Sequence, residues 1–282
     1  MFTRTARLAA AFSALLLIQG CAGRVGFPNL TPEAPLEITG TLTKPDGAGP
    51  FPAVVILHGC GGVARIHTKW ARWFNERGYV ALIPDSWTPR GFSELCSKEG
   101  PDVPNTARFD DTMGALRYLQ SLPFVDAARV GAIGFSNGGL YAIAVINGPS
   151  LDRARARGLM LSSPGFAAGV GVYPGGCFSL VKERVVAPVL VLIGGADDWT
   201  RPEPCAEMVD AMRARGADAT IVIYPGAYHY FDVEGQRKTY LADVENRNKP
   251  NDCCGATVSY DAAAAADAFR RVEEFFGRHL KR

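Results

Sequence analysis

The sequence predicts an α/β fold, a mostly parallel sheet with helices on both faces. Three observations carry this. Apolar runs alternate with amphipathic segments along the chain, as in repeated strand–helix units. Several of those runs are continuous rather than alternating, which is the pattern of strands buried on both faces. Four strand ends carry chemically capable residues, namely His58-Gly59-Cys60, Ser136, Asp197 with Asp198, and His229. Sites on parallel sheets lie at the carboxyl ends of strands. At 282 residues, 48% of them hydrophobic and 21% charged, the chain can build one sizeable core. Its net charge of +2 gives no polybasic surface and argues against a nucleic-acid partner.

The first residues are read as a targeting segment. Arg4 and Arg7 precede an apolar run over 8–18, followed by Gln19-Gly20-Cys21. A basic start and a short apolar stretch form a secretory signal, too short for a comfortable membrane span. The ending Ile18-Gln19-Gly20-Cys21 resembles a bacterial lipobox, which implies lipidation of Cys21 and a membrane anchor. Cleavage after Gly20 or Ala22 with plain secretion is the other reading, and both export the protein. The expectation is a lipoprotein-type signal over 1–20, a tether over 21–35 and a catalytic domain over 36–282. The expected location is the periplasm or the outer membrane of a bacterium.

Export also accounts for the cysteines. Of seven, setting Cys21 aside leaves Cys60, Cys96, Cys177, Cys205, Cys253 and Cys254. An even number in an exported chain favours disulfides. No C-x-x-C pair is present and the four histidines are scattered, so no metal site is expected. Cys177 and Cys205 each follow the end of a predicted strand on one sheet edge, and so do Cys60 and Cys96. These are the expected pairs. The adjacent Cys253 and Cys254 form either a vicinal bridge or thiols.

Taken in order, residues 36–43 alternate apolar and polar and read as an early hairpin. Residues 51–57 form a continuous apolar run, a buried strand ending in His58-Gly59-Cys60-Gly61-Gly62. An amphipathic helix over 68–77 is closed by Gly78, and 79–83 is the next strand. A long excursion over 86–104 holds Cys96. Residues 106–122 have helical periodicity, with Phe109, Met113, Leu116 and Leu119 apolar. Strand 130–135 leads through a turn into helix 136–146. Either 159–162 or 169–173 supplies the following strand. Strand 189–193 ends in Gly194-Gly195-Ala196-Asp197-Asp198, helix 204–215 follows, and strand 220–224 leads to Pro225-Gly226-Ala227-Tyr228-His229. A helix over 259–280 closes the chain.

Gly134-Phe135-Ser136-Asn137-Gly138 is the most informative stretch. A G-x-S-x-G motif between strand and helix is a nucleophile elbow, which lifts a serine hydroxyl clear of the sheet edge. The N–H of Asn137 would face an oxyanion formed there, together with the N–H of Cys60 or Gly61 from the glycine-rich loop. A serine hydroxyl is a weak nucleophile and needs a base, which in turn needs an orienting acid. His229 is the best-placed histidine. Asp197 and Asp198 compete for the acid, with Asp197 favoured by its spacing from Gly194. Arg65, Arg90 and Arg108 could meet an anionic acyl group, but surface or packing roles suit each better.

Over residues 36–280 the chain resembles the dienelactone hydrolase family of α/β-hydrolases. The resemblance rests on His58-Gly59-Cys60-Gly61-Gly62, Arg108-Phe109-Asp110-Asp111, the serine motif, Tyr173-Pro174-Gly175, Gly194 to Asp197, and Tyr224 to Asp232. It implies the α/β-hydrolase fold and hydrolysis of an ester or lactone without a cofactor. The namesake enzymes use a cysteine nucleophile in the cytosol, whereas here the position is Ser136 and the chain is read as exported. The expectation is therefore a serine hydrolase acting on small carboxylic esters or lactones, with Ser136, Asp197 and His229 as the triad. The rival expectations are a non-catalytic envelope lipoprotein that keeps the fold, and thiol chemistry at Cys60.

Overall fold

In the computed structural model, residues 22–97, 101, 103–180 and 184–281 are described. Cys21 and the signal segment before it lie outside the described residues. Among the described residues, eight strands form one sheet, and six helices flank it. The strands are β1 Gly23–Pro28, β2 Glu37–Thr43, β3 Phe51–Leu57, β4 Val80–Asp85, β5 Val125–Phe135, β6 Ala168–Val172, β7 Val189–Gly194 and β8 Ala219–Tyr224. Their order across the sheet is β1-β2-β4-β3-β5-β6-β7-β8. From β4 to β8 every pairing is parallel, and β1 and β2 add an antiparallel margin.

The helices are α1 Arg65–Glu76, α2 Asn105–Ser121, α3 Asn137–Ala144, α4 Gly148–Ala156, α5 Pro202–Arg213 and α6 Ala262–Leu280. Phe74 of α1 meets Phe276 of α6, and Trp70 stacks on Phe269 with ring centroids 3.8 Å apart, so these two helices share one face. A side chain at Gly131 would strike Phe276 and Leu280, while one at Gly169, beside Ala132 in register, would strike Ala142 and Ile146 on the α3 side. Neighbouring residues of a strand point to opposite faces. The α3 side is therefore the other face, and α2 packs beside α3 there. The continuous apolar runs of β3 and β7 are buried almost throughout, as strands covered on both faces require.

One expectation is corrected, one open choice is settled, and two features were not foreseen. The segment read as a tether carries β1, which pairs with β2 from Gly23↔Leu42 to Pro28↔Glu37. Residues 36–43 are thus one arm of an antiparallel pair whose other arm lies inside the supposed tether. Of the two candidates for the sixth strand, the one at Ala168–Val172 is formed. Residues 159–162 have no regular structure, and Leu161 and Ser162 are only half-buried. Helix α4 was not foreseen. Asn147 caps it by accepting the Ser150 N–H at 3.0 Å, with a proline in the first turn. A small sheet of β9 Thr239–Leu241 and β10 Ala256–Val258 also lies in the excursion between β8 and α6.

Candidate active site

Ser136 stands between β5 and α3 with φ 53°, ψ −117°. That backbone region is costly for a residue with a side chain, and it persists only where the surroundings enforce it. Here they do. The Ser136 N–H donates to Val172 O at 3.0 Å, and its carbonyl accepts Gly139 N–H at 2.9 Å and Gly175 N–H at 3.0 Å. A side chain on Gly134 would run into the Gly138 carbonyl, and one on Gly138 into the Leu57 and His58 carbonyls. The turn is therefore too tight for anything but glycine at both flanking positions.

His229 follows β8 and is fully buried. Its Nδ1 lies 2.8 Å from Asp197 Oδ2. The Asp197 carboxylate is held on all sides, because Oδ1 accepts the N–H groups of Trp199 at 2.9 Å and Thr200 at 2.8 Å, and Oδ2 accepts the Thr200 hydroxyl at 3.0 Å. The His229 carbonyl accepts Ser259 N–H at 3.0 Å, which ties the loop to the end of β10. Rings of Tyr173, Trp199 and Tyr230 pack around the imidazole at centroid distances of 4.4, 4.9 and 5.0 Å. Its Nε2 is buried and unpartnered, and it is not hydrogen-bonded to the Ser136 hydroxyl in this structure. An imidazole fixed through Nδ1 on a carboxylate presents Nε2 as a proton acceptor. Of the two adjacent aspartates only Asp197 meets His229. Asp198 accepts Thr257 N–H at 2.7 Å and the Thr257 hydroxyl at 2.9 Å.

The loop after β3 closes on the same edge. A methyl group on Gly59 would stand 3.5 Å from Ser136 Cβ. Cys60, Ser136 and Asn137 all line one open cleft of about 640 Å³, with Leu95, Leu140, Phe178, Trp199 and the exposed Arg201 and Arg247 on its other walls. Among the described residues neither the Cys60 nor the Asn137 N–H donates to a protein group. Cys60 is bonded to Cys96 and Cys177 to Cys205, with Cα atoms 5.0 and 4.9 Å apart, and all four cysteines line the cleft. Cys253 and Cys254 stand as a vicinal pair.

Beneath the loop lies a set of buried polar groups. His58 Nε2 accepts Ser86 N–H at 3.2 Å, so the neutral ring carries its proton on Nδ1, 2.7 Å from Gly59 O. Burial, helped by the Arg108 cation, holds its pKa well below the ordinary histidine value. Arg108 is buried, donates to His58 O at 2.8 Å and stacks over Trp87, and burial lowers its pKa to about 10. Arg90 forms a fork with Asp111, and Arg65 is exposed at the start of α1. None of the three arginines lines the cleft. Sequence reasoning gave no role to Thr200, Trp199, Tyr173 or Asp232. The signal for the first two was Asp197-Asp198-Trp199-Thr200 itself, since an aspartate often accepts backbone N–H groups two and three residues on. Among the described residues no cluster of His, Cys, Asp and Glu forms a metal site.

The comparisons with known proteins agree with this architecture. A protein of Synechocystis sp. named "Putative carboxymethylenebutenolidase" is 27% identical over 263 residues, covering 89% of this chain and 95% of its own. The dienelactone hydrolase of Anabaena variabilis has a similar structure, with TM-score 0.59, 18% identity, and coverage of 92% of this chain and 99% of that one. Thermogutta terrifontis esterase 2, solved phosphorylated by paraoxon, has TM-score 0.63, 15% identity, and coverage of 93% and 95%. The model of the dienelactone hydrolase family matches residues 38–280, nearly the whole described chain, and this protein belongs to that family of hydrolase enzymes.

Proposed function

We propose that this enzyme is a serine hydrolase that cleaves carboxylic esters or lactones through an acyl-enzyme. Ser136 attacks the carbonyl carbon, His229 takes its proton, and Asp197 holds the His229 tautomer. The N–H groups of Cys60 and Asn137 receive the oxyanion. The collapsing intermediate expels the alcohol with the proton from His229, and water then releases the acid by the same steps in reverse. The observation that carries this reading is the 2.8 Å contact of His229 Nδ1 with Asp197 Oδ2, on the same sheet edge as a serine at a strained strand–helix turn. Ser136 and His229 have still to close on one another, and contacts of this kind commonly tighten only with substrate bound.

The test is labelling with a fluorophosphonate or with paraoxon, the reagent that phosphorylates the Thermogutta esterase. The wild type should be labelled at Ser136 and lose turnover of p-nitrophenyl esters. Ser136→Ala should be neither labelled nor active. An unlabelled, inactive wild type would leave a non-catalytic hydrolase-fold lipoprotein.

We further infer from the sequence that the chain is exported and anchored by lipid on Cys21. Cys21→Ser should shift the protein from the detergent phase to the aqueous phase of a detergent partition. A mature N-terminus mapped at any other residue overturns the anchor.

A further inference from the structure

The residue whose N–H is assigned to the oxyanion is gripped from outside the sheet. The Cys60 carbonyl accepts Leu95 N–H at 2.8 Å and Trp87 Nε1–H at 2.9 Å. Its sulfur is bonded to Cys96. The chain between Trp87 and Cys96 therefore holds one residue of the loop at three points. Cys60 is flanked by Gly59 and Gly61, whose backbones would otherwise turn freely.

The grip continues across the cleft. The Cys96 carbonyl accepts Glu245 N–H at 2.8 Å, and Ser97 pairs with Val244 beside it. The Glu245 carbonyl accepts Trp199 Nε1–H at 2.8 Å. The Trp199 N–H donates to Asp197 Oδ1 at 2.9 Å, and Asp197 Oδ2 meets His229. An unbroken series of bonds thus arches over the carboxyl edge from Cys60 to His229. Cys60, Cys96, Glu245 and Trp199 all line the cleft it spans.

We propose that the Cys60–Cys96 bridge is a positioning element for the oxyanion site. The arch it anchors, through Glu245 and Trp199, sets the span between the Cys60 N–H and the Asp197–His229 pair. This rests on the proposed roles of Ser136 and of the Cys60 N–H. The physical need is clear, because a donor must sit within roughly 0.5 Å of its productive place. The oxyanion is absent from the bound substrate and develops on the way to the tetrahedral intermediate, so a displaced donor lowers kcat and leaves KM nearly alone.

The experiment uses the mature enzyme and p-nitrophenyl acetate, with competent sites counted by fluorophosphonate. Cys60→Ser with Cys96→Ser removes the bridge and keeps the backbone N–H. Its kcat should fall about tenfold to hundredfold, part of the roughly 10²–10³ that one lost donor costs, with KM within about threefold. Affinity for a trifluoromethyl ketone, whose hemiketal carries the same oxyanion, should fall in parallel. Trp199→Phe removes the Nε1–H and keeps a ring beside His229, and its kcat should fall less. Combined, the changes should cost no more than the larger alone, as members of one network do. Trp87→Phe loosens one of the three grips and is the second reading should the cysteine variant not fold. It too should lower kcat at constant KM. A wild-type kcat in these variants, a loss confined to KM, or multiplying losses overturns the arch. A wild type not labelled at Ser136 overturns the site reading and the arch with it.

Discussion

Asp198 is bound to Thr257, its two carboxylate oxygens accepting that residue's N–H and hydroxyl at 2.7 and 2.9 Å, while its neighbour Asp197 faces His229. Adjacent carboxylates thus hold two different partners. One fixes the imidazole, and the other fastens the excursion between β8 and α6 to the acid loop. The Asn246 side-chain amide strengthens that fastening by donating to Asp198 O at 2.9 Å and Gly255 O at 2.8 Å.

Substitution should separate the two. Asp197→Asn should lower kcat by about 10⁴, because the amide can favour the wrong histidine tautomer. Asp198→Asn keeps an acceptor for Thr257 and should leave kcat within about threefold, at a stability cost of about 1 kcal/mol for the weakened bond. Ester kinetics and denaturant melts on both variants check this. The reverse ranking would give Asp198 the orienting role.

A third carboxylate is buried nearby. Asp232 is fully buried and accepts Trp70 Nε1–H at 2.9 Å and the Tyr173 hydroxyl at 2.7 Å. Burial raises its pKa against the pull of those donors. Tyr173 in turn packs its ring 4.4 Å from that of His229. Tyr173→Phe leaves the carboxylate one donor short and should cost roughly 1–3 kcal/mol. Asp232→Asn should cost less. Its amide oxygen can accept Trp70 Nε1–H, its NH₂ can donate to the Tyr173 hydroxyl oxygen, and no buried charge remains. Equilibrium unfolding measures both, and an Asp232→Asn variant less stable than Tyr173→Phe would contradict the assignment.

The turn glycines give a contrasting pair. Gly138→Ala drives a methyl group against the Leu57 and His58 carbonyl oxygens, which belong to backbone and cannot step aside. The cost should lie at the upper end of roughly 1–3 kcal/mol, and ester turnover should fall with it. Gly277 lies inside α6 with nothing near the place a Cβ would take. Gly277→Ala should stabilise the protein by about 0.5–1 kcal/mol through helix propensity. Thermal melts would show opposite signs, and a shared sign would refute the steric argument.

The sequence made most of this fold legible because strands covered on both faces must be apolar at every position. β3 and β7 read directly for that reason. β1 did not, because it is an edge strand of the sheet with only Phe27 buried, so no apolar run marks it. β9 and β10 are three residues each, too short for periodicity to register. At the site, Ser136 and His229 were legible as polar residues ending apolar strands. The choice between Asp197 and Asp198 was weighed on spacing alone, because only the rotation of the loop decides which carboxylate turns inward. The arch through Glu245 was invisible because it joins backbone groups of segments far apart in sequence.

The last prediction concerns acid stability. His67 is buried at the start of α1, and its Nδ1 accepts Ala64 N–H at 2.8 Å. Burial lowers its pKa from 6.5 to about 4. His58, its ring 6.3 Å away, is lowered by burial and by Arg108. Between these values and 6.5 the unfolded chain binds protons that the folded chain refuses. Stability therefore rises with pH across this window, is fully present above 6.5, and is lost as pH falls toward 4. The His67 shift corresponds to about 3 kcal/mol at most. Asp232, with a pKa raised by burial, contributes with the opposite sign above 3.8, the ordinary carboxylate value. Unfolding free energies at a series of pH values should be level from about 7.5 to 6.5 and decline from there to about 5. His67→Asn, whose side-chain oxygen can accept the Ala64 N–H, should be less stable at neutral pH and show a shallower decline. A variant with the wild-type slope would mean that His67 is not the group taking up the proton on unfolding.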